Sequence, residues 1–130
     1  MALNELKEVR AAAAVTTSYV ASDYAQTGNS SRADIVLDFT LASLTSLEVQ
    51  VLFSYDLVTW RILGVESASG ATITEKAAVY QFLPADWGTA ATGTVIRIDC
   101  GAPLLKVQVK GTGNVTASSV RVLIQESSED

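Results

Sequence analysis

The 130-residue chain has no histidine and a single cysteine, Cys100. Without histidine it cannot build a Ser-His-Asp triad, a Cys-His pair or a histidine general base. Zinc sites made from histidine or from several cysteines are excluded as well. Cys100 follows Ile98 at strand spacing, which favours a buried apolar side chain over a reactive thiol or an intermolecular bridge. We therefore expect no enzymatic activity, no cofactor and no metal.

Charged residues are also scarce, at 18% of the chain, and the net charge is −5. The nine basic residues are scattered from Lys7 to Arg121, whereas phosphate binding requires clustered lysine and arginine. No apolar run reaches 18 residues, and the chain does not start with the basic-then-apolar order of a leader. We expect no nucleic acid and no membrane partner. The low charge favours a protein partner that covers part of the surface.

Apolar and polar residues alternate along most of the chain, the pattern of half-buried β-strands. The clearest alternation lies in residues 34–41, 47–53, 58–63, 96–100, 105–110 and 120–124, with weaker candidates at 15–20 and 72–82. Turn signals such as Ser69-Gly70 separate these segments. About eight short strands predict an all-β fold, an antiparallel β-sandwich of jelly-roll type over residues 15–125. The polar residues 126–130 are predicted to form an acidic C-terminal tail.

The first 14 residues differ from this body and are predicted to form a short N-terminal arm or helix. Asn4 could cap a helix that runs from Glu5 to about Ala14, a segment rich in strong helix formers. So short a helix is marginal in water, so it must dock on its own body or on a neighbour. We expect deletion of residues 1–12 to leave a folded body that binds its assembly poorly.

Five side chains are predicted to contact a partner. Trp87 lies in the segment Pro84–Gly88 between strands, where it could plug the end of the core, anchor a protein interface or stack on a sugar. The predicted partner-binding residues are Leu3, Leu6, Val9, Arg10 and Trp87.

The most distinctive local motif is the segment 54–60, which reads Ser-Tyr-Asp-Leu-Val-Thr-Trp. Asp56 is predicted to turn a hairpin by bonding nearby backbone N–H groups, and Trp60 is predicted to enter the core. The segment is similar to the sialidase Asp-box, Ser-x-Asp-x-Gly-x-Thr-Trp, but it lacks the glycine and Trp60 comes one residue early. It also resembles a hairpin of discoidin-type carbohydrate-binding sandwiches, Tyr-Ser-x-Asp-Gly-x-Thr-Trp. That resemblance implies a sugar bound at loops at one end, stacked on exposed aromatic rings.

A broader resemblance covers residues 33–125. The strand 46–54 leading into Thr59-Trp60, and the strand 105–113 followed by 119–122, resemble small tailed-phage virion proteins of the head decoration (cement) type. This resemblance implies a homotrimer on the virion surface, made in the host cytoplasm. It also implies that the trimer clamps the major capsid protein, or another virion protein, without catalysis. The alternative function is a carbohydrate-binding module that recognises host glycans.

Overall fold

The structure of the chain is a computed structural model that describes residues 6–27, 32–99 and 102–127. Strand makes up 66% of the described residues and helix 4%, which confirms the all-β prediction. A single short helix, α1 (Pro84–Trp87), lies between the ninth and tenth strands of the described residues. The strands are β1 (Leu6–Ala13), β2 (Val20–Ala21), β3 (Ala25–Gln26), β4 (Arg32–Thr40), β5 (Leu44–Ser54), β6 (Trp60–Ile62), β7 (Gly64–Ser69), β8 (Thr72–Ala77), β9 (Tyr80–Phe82), β10 (Thr92–Asp99), β11 (Leu104–Gly113) and β12 (Ser119–Ser127).

These strands form two sheets and a separate hairpin. The four-stranded sheet has the order β1-β12-β4-β10. The six-stranded sheet has the order β2-β11-β5-β6, with β3 paired to β11 and β9 paired to β5. β7 and β8 pair only with each other in the described part of the chain. The described strand pairs are all antiparallel, and the jelly-roll connectivity stays a prediction.

The inner faces of the two sheets share one hydrophobic core, as the period-two alternation predicts. Ile35 and Leu37 of the four-stranded sheet and Val49 and Val51 of the six-stranded sheet are fully buried in it. Alternate residues of a strand point to opposite faces, so one apolar face per strand suffices to build such a core. The chain is therefore a β-sandwich.

The helix expected over residues 5–14 is wrong, because Leu6–Ala13 forms β1 at the edge of the four-stranded sheet. β1 pairs with β12 from Leu6 to Ala13, and Val9 is 5% exposed within the common core. Helix propensity is a weak preference that tertiary context overrides. Here the strand satisfies the backbone groups along one side of β12 and buries Val9, which a helix could not do in the same place.

Other boundaries also differ from the sequence prediction. The weak candidate 15–20 contributes only the start of β2, and the candidate 72–82 divides into β8 and β9. β12 continues to Ser127, so it includes the first residues of the predicted tail. Leu3, Cys100 and residues 128–130 lie outside the described residues. No helix in the described ranges is long and apolar enough to cross a membrane.

The β7–β8 hairpin interrupts an edge of the six-stranded sheet. β6 pairs with residues 52–54 of β5, and β9 pairs with residues 47–49 of the same strand. Between them the Leu63 N–H donates to the Val51 carbonyl at 2.8 Å, and the Ala78 N–H donates to the Leu63 carbonyl at 2.8 Å. These two bonds close the base of the β7–β8 hairpin, so the hairpin leaves the sheet edge between Leu63 and Ala78.

Candidate interaction surfaces

No residue of the β7 and β8 strands packs into the hydrophobic core. Every residue of these two six-residue strands is exposed, including Val65 at 55% and Ile73 at 66%. Gly70 begins the turn at φ +62°, a conformation that glycine adopts without strain. A two-stranded hairpin is at best marginally stable by itself in water. Contacts from outside this chain would therefore stabilise it.

The second candidate element is β10, which has an open edge at one end of the four-stranded sheet. It pairs with β4 over eight residues without a register shift, and no described strand pairs with its second edge. The opposite edge of the same sheet is covered: β1 carries two register shifts, and the Asp23 N–H donates to the Val9 carbonyl at 2.9 Å. Long, regular, open strand edges tend to pair with another chain, and proteins usually blunt them.

The hairpin and the β10 edge lie on the same side of the sandwich. The Asp23–Val9 bond, together with Lys7 Nζ donating to the Tyr24 carbonyl at 2.6 Å, joins the β1 edge to the segment between β2 and β3. The remaining edges of the two sheets are β10 in one and β6 with β9 in the other. The hairpin leaves that second edge, so it starts on the side of the sandwich where β10 has its open edge.

A second surface, here called the aromatic face, covers the outer side of the six-stranded sheet. It consists of Tyr24, Trp60, Lys106 and the amide pair Gln50 and Gln108. The rings of Tyr24 and Trp60 lie 6.2 Å apart, and Lys106 Nζ lies 4.1 Å from the Trp60 ring centroid. Gln108 Nε2 donates to Gln50 Oε1 at 2.6 Å. Flat rings beside amide groups offer both stacking and hydrogen bonding to a ligand.

The prediction that Trp60 enters the core is wrong. Trp60 pairs with Ser54, and Ile62 pairs with Leu52. Leu52 is in turn opposite Lys106, so Trp60 shares the outer face with that lysine. Trp60 and Ile62 share one face of the strand, as the alternation predicts, but that face points outward, where Ile62 is 44% exposed.

Trp87 occupies the core position instead. Its half-buried ring packs edge-on against Phe39 at 5.6 Å and Phe82 at 5.5 Å, and those two rings lie 5.0 Å apart. Of the three interpretations of Trp87, the plug at the end of the core describes this packing. Its contact with a partner stays a prediction.

The predicted partner-binding residues of the N-terminus have different surroundings. Val9 is in the core, and Leu3 lies outside the described residues. Arg10 donates from Nε to the Val120 carbonyl at 3.2 Å and from Nη2 to the Ala14 carbonyl at 3.0 Å. Partial burial lowers the pKa of Arg10 from its usual value. Arg10 thus stabilises its own fold, whereas Leu6, at 48% exposure, remains open to a partner.

The segment 54–60 forms the turn that its sequence predicts. Asp56 Oδ1 accepts the N–H groups of Val58 and Thr59, each at 2.9 Å, and Ser54 Oγ accepts the N–H of Leu57 at 2.9 Å. The bonds from Thr59 and Val58 lower the pKa of Asp56. Leu57 has φ +66° at the position where the discoidin-type motif has glycine. The turn is therefore held by side-chain acceptors and not by the glycine usual there.

Sequence reasoning placed β8 within the weak candidate 72–82 but missed β7, the β7–β8 hairpin and the open β10 edge. The turn at Ser69-Gly70 was a visible signal, but strands without a buried face show no alternation of apolar and polar residues. The residues described by the structure include no group of three or more Cys, Asp or Glu side chains placed to hold a metal ion.

The chain matches no protein-family model, no curated protein and no solved structure.

Proposed function

We propose that this chain is a non-enzymatic assembly protein of a tailed-phage virion, a decoration protein that binds neighbouring protein subunits on the capsid surface. The observation that carries the proposal is the fully exposed β7–β8 hairpin, closed at its base by the Leu63 and Ala78 bonds. Its occupants would be the major capsid protein or another virion protein, and further copies of the chain, with a trimer favoured. The setting on a virion comes from the resemblance of residues 33–125.

A protein partner suits the chemistry of this side of the molecule. The hairpin and β10 present free backbone N–H and C=O groups together with isolated apolar side chains such as Val65 and Val95. Strand addition uses such edges: the backbone supplies hydrogen bonds, and alternate side chains supply specificity. Small ligands are instead bound in concave sites. The concavity at the base of the hairpin is an open cleft of about 280 Å³ between Ile62 and Glu75.

The proposal is tested with capsids that lack the protein, prepared from the phage whose genome encodes the chain. The full chain should bind these shells at a fixed stoichiometry and raise their resistance to heat. A variant in which residues 65–76 are replaced by Asn-Gly should keep the melting temperature of the sandwich and lose occupancy. Equal occupancy by this variant, or no binding of the full chain, would overturn the proposal. Circular dichroism identifies a variant that has simply failed to fold.

The aromatic face favours a second candidate, recognition of host glycans. Trp60 and Tyr24 would stack on sugar rings, and Gln108, whose amide is held by the buried Gln50, would supply bonds to hydroxyl groups. A glycan array compares the full chain with Trp60→Ala and with Trp87→Phe, which retains a ring in the core. Binding that Trp60→Ala alone abolishes would support this candidate. Shell binding without any glycan signal would reject it.

A further inference from the structure

We propose that β7 of one copy of this chain pairs antiparallel with β10 of a second copy, with residues 64–69 opposite residues 99–94. The inference rests on the assembly function proposed above and identifies the contact between copies. Both strands have one edge that no described strand occupies, and their lengths of six and eight residues are compatible. Antiparallel pairing is the more common and slightly more stable arrangement.

Charge sets the register. In the hairpin, Glu66 lies directly opposite Glu75, and like charges at such positions are destabilising. Arg97 lies on β10 with its side chain 75% exposed, and its ion pair with Asp34 uses Nε at 3.5 Å. When Glu66 is placed opposite Arg97, the exposed cation of β10 lies beside a carboxylate that otherwise faces only the like charge of Glu75. The same register places Gly64 opposite Asp99, where no side chain opposes the carboxylate.

The uncharged positions agree with this register. Residues that are directly opposite share a face, so the Glu66–Arg97 pair also brings Ala68 opposite Val95, which is 47% exposed. On the other face, Val65, which is 55% exposed, comes opposite Ile98, which is 7% exposed at the border of the core. The pairing covers both exposed valines with apolar neighbours and extends the four-stranded sheet by two strands.

The contact joins two different elements, so a two-fold dimer would contain it twice and a ring would contain it once between each pair of neighbours. Because the hairpin and the β10 edge are on the same side of the sandwich, two copies can exchange hairpins reciprocally, or several copies can follow one another in a ring. The mass of the assembly distinguishes these arrangements: two copies indicate exchange, and three copies indicate the ring implied by the virion resemblance.

The first test is charge reversal, measured by analytical ultracentrifugation of the full chain. Glu66→Arg and Arg97→Glu should each weaken self-association by about tenfold or more, and the double variant should recover most of that loss. Lys76→Glu reverses a charge on β8, the hairpin strand away from β10, and is the matched control with little expected effect. Single variants that associate like the unmodified chain, or a double variant without recovery, would overturn the register.

The second test is a cross-link that does not depend on charge. In a Cys100→Ala background, the variant carrying Ala68→Cys and Val95→Cys should form disulfide-linked oligomers under mild oxidation. The control carries Ala68→Cys with Val20→Cys, which places the second thiol on β2 at the other side of the sandwich, and should remain monomeric on a denaturing gel. Equal cross-linking of the two proteins would contradict the pairing.

The β7–β10 contact and the decoration function can be refuted independently of each other. If the unmodified chain stays monomeric at high concentration but still occupies the shells, the β7–β10 contact is refuted and the decoration function stands. If the chain self-associates in the stated register but binds no shell, the contact stands and the decoration function is refuted. Charge-reversal variants that lose both activities together would tie shell binding to self-association.

Discussion

Trp60 lies on the outer face of the six-stranded sheet with the ammonium group of Lys106 4.1 Å from its ring centroid, and it takes no part in the core. Trp87 packs against Phe39 and Phe82 at the core end. The two tryptophans thus have different surroundings: one ring is held by a cation and a tyrosine, the other by two phenylalanines.

Replacement of the two tryptophans should separate these roles. Trp87→Ala should lower the free energy of unfolding by about 3 kcal/mol, since it removes a large ring from an aromatic cluster. Trp60→Ala should cost about 1–2 kcal/mol, because the ring is half-buried and its contact with Lys106 contributes about 0.5–1 kcal/mol. Urea unfolding of both variants measures the difference. A larger loss for Trp60→Ala than for Trp87→Ala would contradict the assignment.

Leu57 should be replaceable by glycine with a gain in stability. Its φ of +66° places a Cβ in the left-handed region, at a cost of about 1 kcal/mol that glycine does not bear. Leu57 is 47% exposed, so little packing is lost. Leu57→Gly should raise the melting temperature by a few degrees. Leu57→Ala is the control: it removes the same side chain but keeps the Cβ, and it should give no gain.

Asp56 should make stability depend on pH at the acid end. Backbone N–H groups favour its carboxylate, so the pKa of Asp56 in the folded chain lies below its usual value. A group with a lowered pKa stabilises the fold above its unfolded pKa, and this stabilisation is lost as the pH falls through the folded pKa. The unmodified chain should therefore exceed Asp56→Asn in melting temperature by a constant amount above about pH 5. That difference should shrink below pH 4. A difference that stays constant down to pH 2 would contradict this.

Most of the sandwich was predictable because its strands bury one face. The alternation around Ile35 and Leu37, and around Val107 and Val109, records that burial directly. β7 and β8 bury neither face within this chain, so their alternation is weak or missing. The sequence therefore indicated β8 only as part of the weak candidate 72–82, and it did not predict β7 or the hairpin. The prediction that Trp60 faces the core was wrong for a related reason. β6 has only three residues, which are too few to show from the sequence which of its faces is the inner one.

The last prediction concerns β1, where the structure reverses the expectation that residues 1–12 can be removed from a folded body. Val9 is 5% exposed in the core, and β1 occupies the edge of β12 from Leu6 to Ala13. Val9→Ala should cost about 2 kcal/mol, as a buried aliphatic truncation does. Leu6→Ala, at a side chain that is 48% exposed, is the matched control and should stay within about 0.5 kcal/mol.

Deletion of residues 1–12 should cost more than either substitution. It removes Val9 and leaves the backbone groups along one side of β12 without their strand partner. It also removes the Arg10 bond to the Val120 carbonyl. The truncated chain should therefore unfold at a much lower urea concentration or fail to fold. A truncated chain that unfolds at the original midpoint would show that β1 is dispensable for the sandwich. Residues 1–12 would then again be candidates for an arm that serves a partner.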